Sequence, residues 1–553
     1  MRPVGTTTVD STVSGFNAHA NATDQGEEDG GDKAPAGEGG VEMVGDRKGS
    51  EDFYDGEGGV SSQCCGGLSP TMIVYMSAFV SSLTSVLLGY DVGVISGAIK
   101  YIQADFDLST LQKASTALCS TSFGVFVSSL NLVAAAGGLI AGTVSDTLGR
   151  KRSIAAACLV FITGSIIKIT AQSFGVLLLG RIVTGAGVGC GFVVAPVYIA
   201  EITPPHIRGR LTALTDISIN MGIVIGYLVA FGVAETVEGD GGKWRTMLGV
   251  SIVPPFIILS SLCLLPESPR WLLGKGQETE AFSVLCTIVS TGDLAKRELA
   301  EMKAVAGEES SGKATWSELL FSTSPALRST LTLGLGLGIA QQASGSEAVV
   351  YYSPSVLGEA GLTSDSAQLG GNILVGLFKL GGEVLAYFLV DRTGRRPLFI
   401  TSSSLVTFFL VFLGISFSAS APAWMTLSGL CLFMWSFSLG MGALTFLVVA
   451  EIFPLRYRGR GVSLGVCVNR LTSGLVALAF PLLGQGFTAG GAFFLFAFLS
   501  VGTVWFYYTK VPETMDRTLE EISAGASKEV AERDTATVLG LAPVAQPGTV
   551  DAL

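Results

Sequence analysis

The stretches "VSDTLGRKRS" (Val144–Ser153) and "LVDRTGRRPL" (Leu389–Leu398) carry one pattern, Asp-x-x-Gly-Arg followed by Lys or Arg, 245 residues apart. Each follows an apolar run. Working outward, "YIAEITPPHIRGR" (Tyr198–Arg210) matches "VAEIFPLRYRGR" (Val449–Arg460), with Glu201 and Glu451 offset by 250. "PESPRWL" (Pro266–Leu272) matches "PETMDRTLEEI" (Pro512–Ile522), with Pro266 and Pro512 offset by 246. Three matches in the same order at nearly one offset mark a duplicated unit. They predict two halves of like topology with a site between them.

The 553 residues are 49% hydrophobic and 14% charged. Soluble domains are about 25% charged, so the chain reads as a polytopic membrane protein. A bilayer span needs about 20 apolar residues. Twelve such runs lie near 72–98, 121–145, 153–171, 175–199, 211–233, 246–265, 328–353, 367–390, 398–419, 423–449, 461–486 and 489–509. A polar, helix-prone stretch, 271–326, divides them six and six. Lys and Arg crowd the loops 2–3, 4–5, 8–9 and 10–11 ("GRKRS", "HIRGR", "DRTGRR", "RYRGR"), while the alternate loops hold few. The positive-inside bias therefore predicts both termini in the cytosol.

The formal charge of −11 is concentrated at one end: residues 1–70 hold 13 acids and 4 bases. This Gly-rich, acidic segment cannot bury enough apolar surface to fold alone and is expected to be disordered. It has no signal-peptide pattern, so the first span is expected to insert as an internal anchor. Its sequon at Asn21 is then cytosolic and spurious, and Cys64 and Cys65 are candidates for palmitoylation. The nine cysteines lack disulfide or metal spacing. The two histidines, His19 and His206, form no cluster. "LGLGLGIA" (Leu333–Ala340) follows no strand, which argues against a nucleotide loop. No metal, cofactor, nucleic acid or enzymatic chemistry is indicated.

Together these motifs resemble the sugar porter family of the major facilitator superfamily, over residues 70–522. The resemblance implies an all-α membrane protein with twelve transmembrane helices in two six-helix pseudo-repeats and an intracellular helical bundle. The expected divisions are a disordered cytosolic tail (1–70), an N-terminal half (71–270), a cytosolic helical linker (271–326), a C-terminal half (327–510) and a cytosolic C-terminal tail (511–553). The implied activity is proton-coupled symport of a monosaccharide or polyol by alternating access. An uncoupled facilitator or a non-transporting sugar receptor is the alternative. The partners are then the sugar, protons and lipid, with a monomeric chain in the plasma membrane or in a vacuolar or other internal membrane.

The same resemblance assigns residues. Asp146, Arg150, Glu201 and Arg208, with Asp391, Arg395, Glu451 and Arg458, form a gating charge lattice, since acids and arginines at helix ends can pair. In "QQASGSEAVVYYSP" (Gln341–Pro354), Gln341, Gln342, residue 347 and Tyr351 line the sugar site, and Gly345 and Pro354 permit local unwinding. Ser346 and Glu347 depart from the family pattern, as do Ala443 (usually Pro) and Phe446 (usually Trp, stacking on the sugar). Asn469 and Lys379 stand at sugar-site positions, and Lys379 could instead pair with Glu383 along one helix. Asp216, four residues before Asn220 on one helix face, lines the cavity or packs between helices. Asp91 interrupts the apolar run "VLLGYDVGVISGAI" (Val86–Ile99), where a charge at mid-bilayer is costly. An acid at this position marks proton-coupled members of the family, and Arg181 is its expected partner. Asp91 and Arg181 form either a proton site or a static pair.

Overall fold

The structure is a computed structural model that describes residues 69–106, 116–289, 291–310, 315–322 and 324–515. The acidic tail, Cys64, Cys65, the Asn21 sequon and the last 38 residues lie outside the described residues.

Twelve spans are present, and no strand occurs among the described residues. The first half comprises span 1 (Pro70–Asp105), span 2 (Thr116–Leu148), span 3 (Arg150–Ile169), span 4 (Phe174–Ile202), span 5 (Pro205–Thr236) and span 6 (Asp240–Leu262). The second comprises span 7 in two pieces (Pro325–Ala343 and Ser346–Glu359), span 8 (Asp365–Thr393), span 9 (Arg395–Ser418), span 10 (Ala423–Ile452), span 11 (Leu455–Gly486) and span 12 (Ala489–Lys510). Eleven are long and apolar enough to cross a membrane as helices. The exception is span 7, where Ser344 and Gly345 break the helix. Pro354, read as a second unwinding point, lies inside the helix Ser346–Glu359.

Packing repeats between halves. Span 1 lies on span 5 and span 2 on span 4; span 7 lies on span 11 and span 8 on span 10. The halves meet along spans 2 and 11 and along spans 5 and 8. Lipid provides no hydrophobic drive between helices, so small residues that let backbones approach decide such crossings. At the crossing of spans 1 and 5, a Cβ on Gly89 would sit 1.9 Å from the Ile219 carbonyl oxygen. One on Gly222 would sit 2.4 Å from the Val86 carbonyl oxygen.

The duplicated motifs become matched contacts. Glu267, from "PESPRWL", accepts the backbone N–H of Arg150 (2.9 Å) and of Lys151 (3.1 Å) at the start of span 3. Glu513, from "PETMDRT", accepts those of Arg395 (2.9 Å) and Arg396 (3.0 Å) at the start of span 9. Each carboxylate thus satisfies orphan donors at a helix N-terminus. Burial opposes ionisation of Glu513, but the N–H groups of Met515, Arg395, Arg396 and Thr514 outweigh it and hold its carboxyl below the usual range. The cap's contribution is therefore complete above the ordinary carboxylate range and is lost as pH falls through the lowered folded value.

Between the halves, short helices Pro269–Gly274, Glu278–Ile288, Gly292–Ser310 and Trp316–Leu320 follow one another. Leu272, Ala281, Leu285, Ala295 and Leu299 form a small core of their own. This cluster is tied to the first half by Trp271 Nε1, which donates to the Asp146 carbonyl (3.0 Å). Glu318 ties its last helix to Arg456 of the second half (3.1 Å).

Overpacking a tight core contact costs about 1–3 kcal/mol. Gly89→Ala is expected to lower the melting temperature of the purified protein, whereas Gly142→Ala, with open space around its Cβ, leaves it unchanged. Equal melting of both variants would remove the span 1–span 5 contact as a determinant of the fold.

Candidate functional site

Polar side chains from both halves converge on the break in span 7. Gly345 has φ +75°, which suits a residue without a side chain. A Cβ there would also strike the Phe496 ring at 2.9 Å. Gln341 and Gln342 end the first helix piece, and Glu347, Tyr351 and Tyr352 lie on the second. Asn469 of span 11 donates to Gln341 Oε1 (2.6 Å) and accepts from Gln342 Nε2 (3.3 Å). Gln341 Nε2 reaches the Met441 and Gly442 carbonyls (2.9 and 3.0 Å). These belong to a π turn, Ser438–Gly442, just before Ala443. Span 10 therefore carries a backbone irregularity where the family proline is missing, and such turns gather at functional sites.

The far side of the cluster comes from the first half. Asn131 Nδ2 of span 2 donates to Ser473 Oγ (3.0 Å), Tyr351 Oη (3.3 Å) and Glu347 Oε1 (3.5 Å). Arg470 lies 3.9 Å from Glu347 and donates to Asn469 Oδ1 (3.1 Å). It also stands 5.5 Å over the Phe192 ring, which packs edge-on to Phe446 with centroids 5.8 Å apart. Asp216 interacts electrostatically with Arg470 and Glu383. Lys379 donates to Asn220 Oδ1 across the halves (2.7 Å) and interacts electrostatically with Glu383, without an ion pair within 4.0 Å. The helix pair anticipated for Lys379 and Glu383 does not form.

Three buried polar atoms here have no protein partner: Gln342 Oε1, Asn131 Oδ1 and Arg470 Nε. Unsatisfied buried polar atoms demand an explanation. Acceptors and donors left open in one cluster suit a ligand rich in hydroxyls, each of which both donates and accepts. Asn131 and Arg470 were missed in the sequence. Arg470 stands next to Asn469 as a charge inside an apolar span; Asn131 is a lone amide in "SSLNLVAAAGG", a weaker signal.

A second buried cluster lies beside this one. Asp91 is fully buried and bonded to Arg181 through Oδ2. Its Oδ1 accepts a second cation, Lys168 of span 3, at 2.6 Å. Lys168 and Arg181 are fully buried too. Tyr351 interacts electrostatically with Asp91, Arg181 and Glu347, and so stands between the two clusters.

At the charged-loop face the lattice takes shape with two revisions. Arg150 holds Glu201 through two bonds of 2.8 Å and Asp146 at 3.1 Å. Its counterpart Arg395 holds Glu451 at 3.2 Å and Asp391 at 4.0 Å. First, these pairs join helices within a half, so they are not a latch across the halves. Second, Arg208 and Arg458 make no ion pair within 4.0 Å among the described residues; each donates to a carbonyl five residues earlier, Thr203 and Phe453, and interacts electrostatically with an acid, Glu298 and Glu451. At the opposite face the halves are joined directly, Lys100 to Asp365 and Ser366 to Glu235. Tyr227 Oη also donates to the Val350 carbonyl (3.0 Å), and Asn372 to Ser96 (2.8 Å). Among the described residues, no group of His, Cys, Asp and Glu could hold a metal ion.

Comparisons with known proteins bear on this geometry. The model of a family described as "Sugar (and other) transporter" matches residues 77–525. "Probable polyol transporter 4" of Arabidopsis thaliana is 39% identical over 479 residues, 84% of this chain and 88% of that protein. "Glucose transporter GlcP" of Staphylococcus epidermidis is 33% identical over 451 residues, 81% of this chain and 96% of that one. Among solved structures, the major facilitator superfamily proton:xylose symporter XylE bound to 6-bromo-6-deoxy-D-glucose is similar at TM-score 0.71, with 28% identity over 82% of this chain and 98% of that one. The xylose transporter XylE from E. coli in a partially occluded inward-open conformation gives TM-score 0.71 at 26% identity, over 81% of this chain and 99% of that one. With twelve spans in two matched halves and a polar cluster between them, the chain belongs to the sugar transporter family of the major facilitator superfamily.

Proposed function

We propose that the chain carries a monosaccharide or polyol across a membrane together with protons, by alternating access. The observation that carries this reading is the group of open donors and acceptors on spans 2, 7 and 11, contributed by both halves. A ligand bound there has a different set of contacts when the halves rock, and that difference is what biases a two-state transporter. The printed functions of the relatives, polyol, glucose and proton:xylose transport, support the same substrate class.

Gln342, Glu347, Tyr351, Lys379, Phe446, Asn469 and Asp216 are the substrate-facing residues in this proposal, with Gln341 behind them. Gln341 already uses both ends of its amide on the protein, and Gln342 keeps an open oxygen. Gln342 is therefore the direct sugar contact and Gln341 the brace that orients Asn469. Asp91 and Arg181 form the proton-coupling site. The charge lattice stiffens the loops at the cytosolic face, with both termini on that side. The division into tails, halves and a cytosolic linker follows the boundaries read from the sequence. The chain works as a monomer, in the plasma membrane.

Purified protein in proteoliposomes is expected to accumulate at least one of glucose, xylose, mannitol, sorbitol and myo-inositol against its gradient when the outside is acidified. Asp91→Asn is expected to keep exchange of that substrate and lose accumulation. No transport of any of the five would sink the substrate class; accumulation retained by the Asn variant would remove Asp91 from coupling.

A neutral hydrogen bond contributes about 0.5–1.5 kcal/mol. Gln342→Ala is then expected to raise the KM for the transported sugar roughly three- to tenfold, read from initial exchange rates. An unchanged KM would move the sugar elsewhere.

Arg150→Ala and Glu451→Gln are expected to slow uptake at equal protein content, by loosening helices that must move as units. Unchanged uptake in both would assign the lattice to topology and lipid contact alone.

A further inference from the structure

The charge balance at Asp91 is not that of a simple pair. One carboxylate faces two cations, Lys168 Nζ at 2.6 Å and Arg181 Nη1, and all three side chains are fully buried. Arg181 Nε also reaches the Phe126 carbonyl (3.3 Å), while its Nη2 has no partner. With every group ionised the cluster holds one net positive charge away from water.

Lys168 is brought there by construction. It ends span 3 and must pass between spans 3 and 4 to reach span 1. Gly180 makes the passage: a Cβ on it would lie 2.8 Å from Lys168 Cγ and 2.8 Å from the Lys168 backbone nitrogen. Gly164 clears the same crossing, where a Cβ would meet the Thr184 nitrogen at 2.6 Å. The ammonium lies 5.5 Å from the Phe161 ring. The charged groups facing it are Asp91 from span 1 and Arg181 from span 4. Tyr90 of span 1 and Tyr351 and Tyr352 of span 7 are the further titratable neighbours of those two groups.

We infer that Lys168 is the proton-exchanging group of the coupling site, with Asp91 as the fixed anion that holds it and Arg181 together. The inference rests on the proposed role of Asp91 in coupling and assigns the proton within that site. Protonating Asp91 would raise the net charge of the cluster from one to two and leave the two cations facing a neutral acid, with one of its oxygens, Oδ1 or Oδ2, turned into a hydroxyl against a cation. Arginine does not deprotonate in proteins. Lysine does so readily when buried. Losing one proton from Lys168 brings the cluster to neutrality, and the neutral amine still donates an N–H to Asp91. The step breaks and forms only an N–H bond: the proton passes from Nζ to water on the side to which the site opens and returns from water on the other. Tyr351 then links the state of this cluster to Glu347 and Asn131 in the polar cluster on span 7.

The test compares the wild type with Lys168→Met, Lys168→Arg and Asp91→Asn in proteoliposomes, each normalised to reconstituted protein. Uphill accumulation under an imposed pH gradient and tracer exchange at symmetric pH are measured with whichever of the five sugars the wild type transports. Lys168→Arg keeps the positive charge but cannot release it. The expected result is exchange in both lysine variants with accumulation lost in both. A second reading is proton uptake on sugar addition in weakly buffered detergent solution, present in the wild type and absent from Lys168→Arg. Accumulation retained by either lysine variant overturns the assignment, as does loss of exchange by both, which would make Lys168 a strut. If the wild type accumulates, Asp91→Asn does not and Lys168→Arg does, only the lysine assignment fails. If the wild type never accumulates, the proposal of proton coupling fails first.

Discussion

One buried carboxylate organises the first half. Asp91 bonds span 3 through Lys168 and span 4 through Arg181, while the glycines around it press span 1 against span 5. A charge in the membrane interior persists only where it is paired and its hydrogen bonds are made. Here the pairing is over-complete on the cationic side, so the cluster's protonation and its hydrogen bonds are bound to each other. Span 7 breaks at Gly345, and its polar groups, Glu347 with Arg470 at 3.9 Å among them, open onto the interface between halves. The two halves have the same helix order and divide the work: ion chemistry beside the first, ligand contacts mostly on the second.

That division explains how departures from the family pattern are absorbed. Glu347, where an amide or shorter acid is usual, meets Arg470 and Asn131, so its charge is partnered. Phe446, where a Trp is usual, has its face set by Phe192 rather than by an indole N–H. Ala443 follows a π turn whose carbonyls receive Gln341. Glu347 and Phe446 each have a partner from a different helix, and beside Ala443 the backbone does. The polarity of the site thus depends on the assembled interface more than on any one span.

The far-face bonds between halves and the charged-face bonds within halves are complementary. Lys100–Asp365 and Glu235–Ser366 are exposed, and exposed ion pairs are worth at most about 1 kcal/mol. Contacts this weak can be exchanged during a conformational cycle. The Arg150–Glu201 contact is bidentate and partly buried, and Glu267 anchors the same helix start. Ion pairs that lie inside a half at the charged face and exposed ones that join the halves at the far face fit the rocking of two units about the buried polar contacts between them.

Much of this was legible beforehand. The repeat, the twelve apolar runs and the linker follow from composition and spacing, because bilayer thickness and backbone hydrogen bonding leave a chain few choices. Asp91, Arg181 and the span 7 amides stood out as polar residues where lipid would exclude them. Lys168 was missed: it sits near the end of its apolar run, where a lysine ordinarily reaches the membrane surface. Only the close crossing at Gly180 turns it inward. Glu267 and Glu513 lay inside quoted motifs, but nothing in their spacing says that they cap spans beginning 117 and 118 residues away. The sequence by itself determined the number of spans, their duplication and which residues could not face lipid. Tertiary structure alone decided which of those residues meet, because a polar group in a membrane must find its partner on another helix, and helix-to-helix distance is not written in the order of the chain.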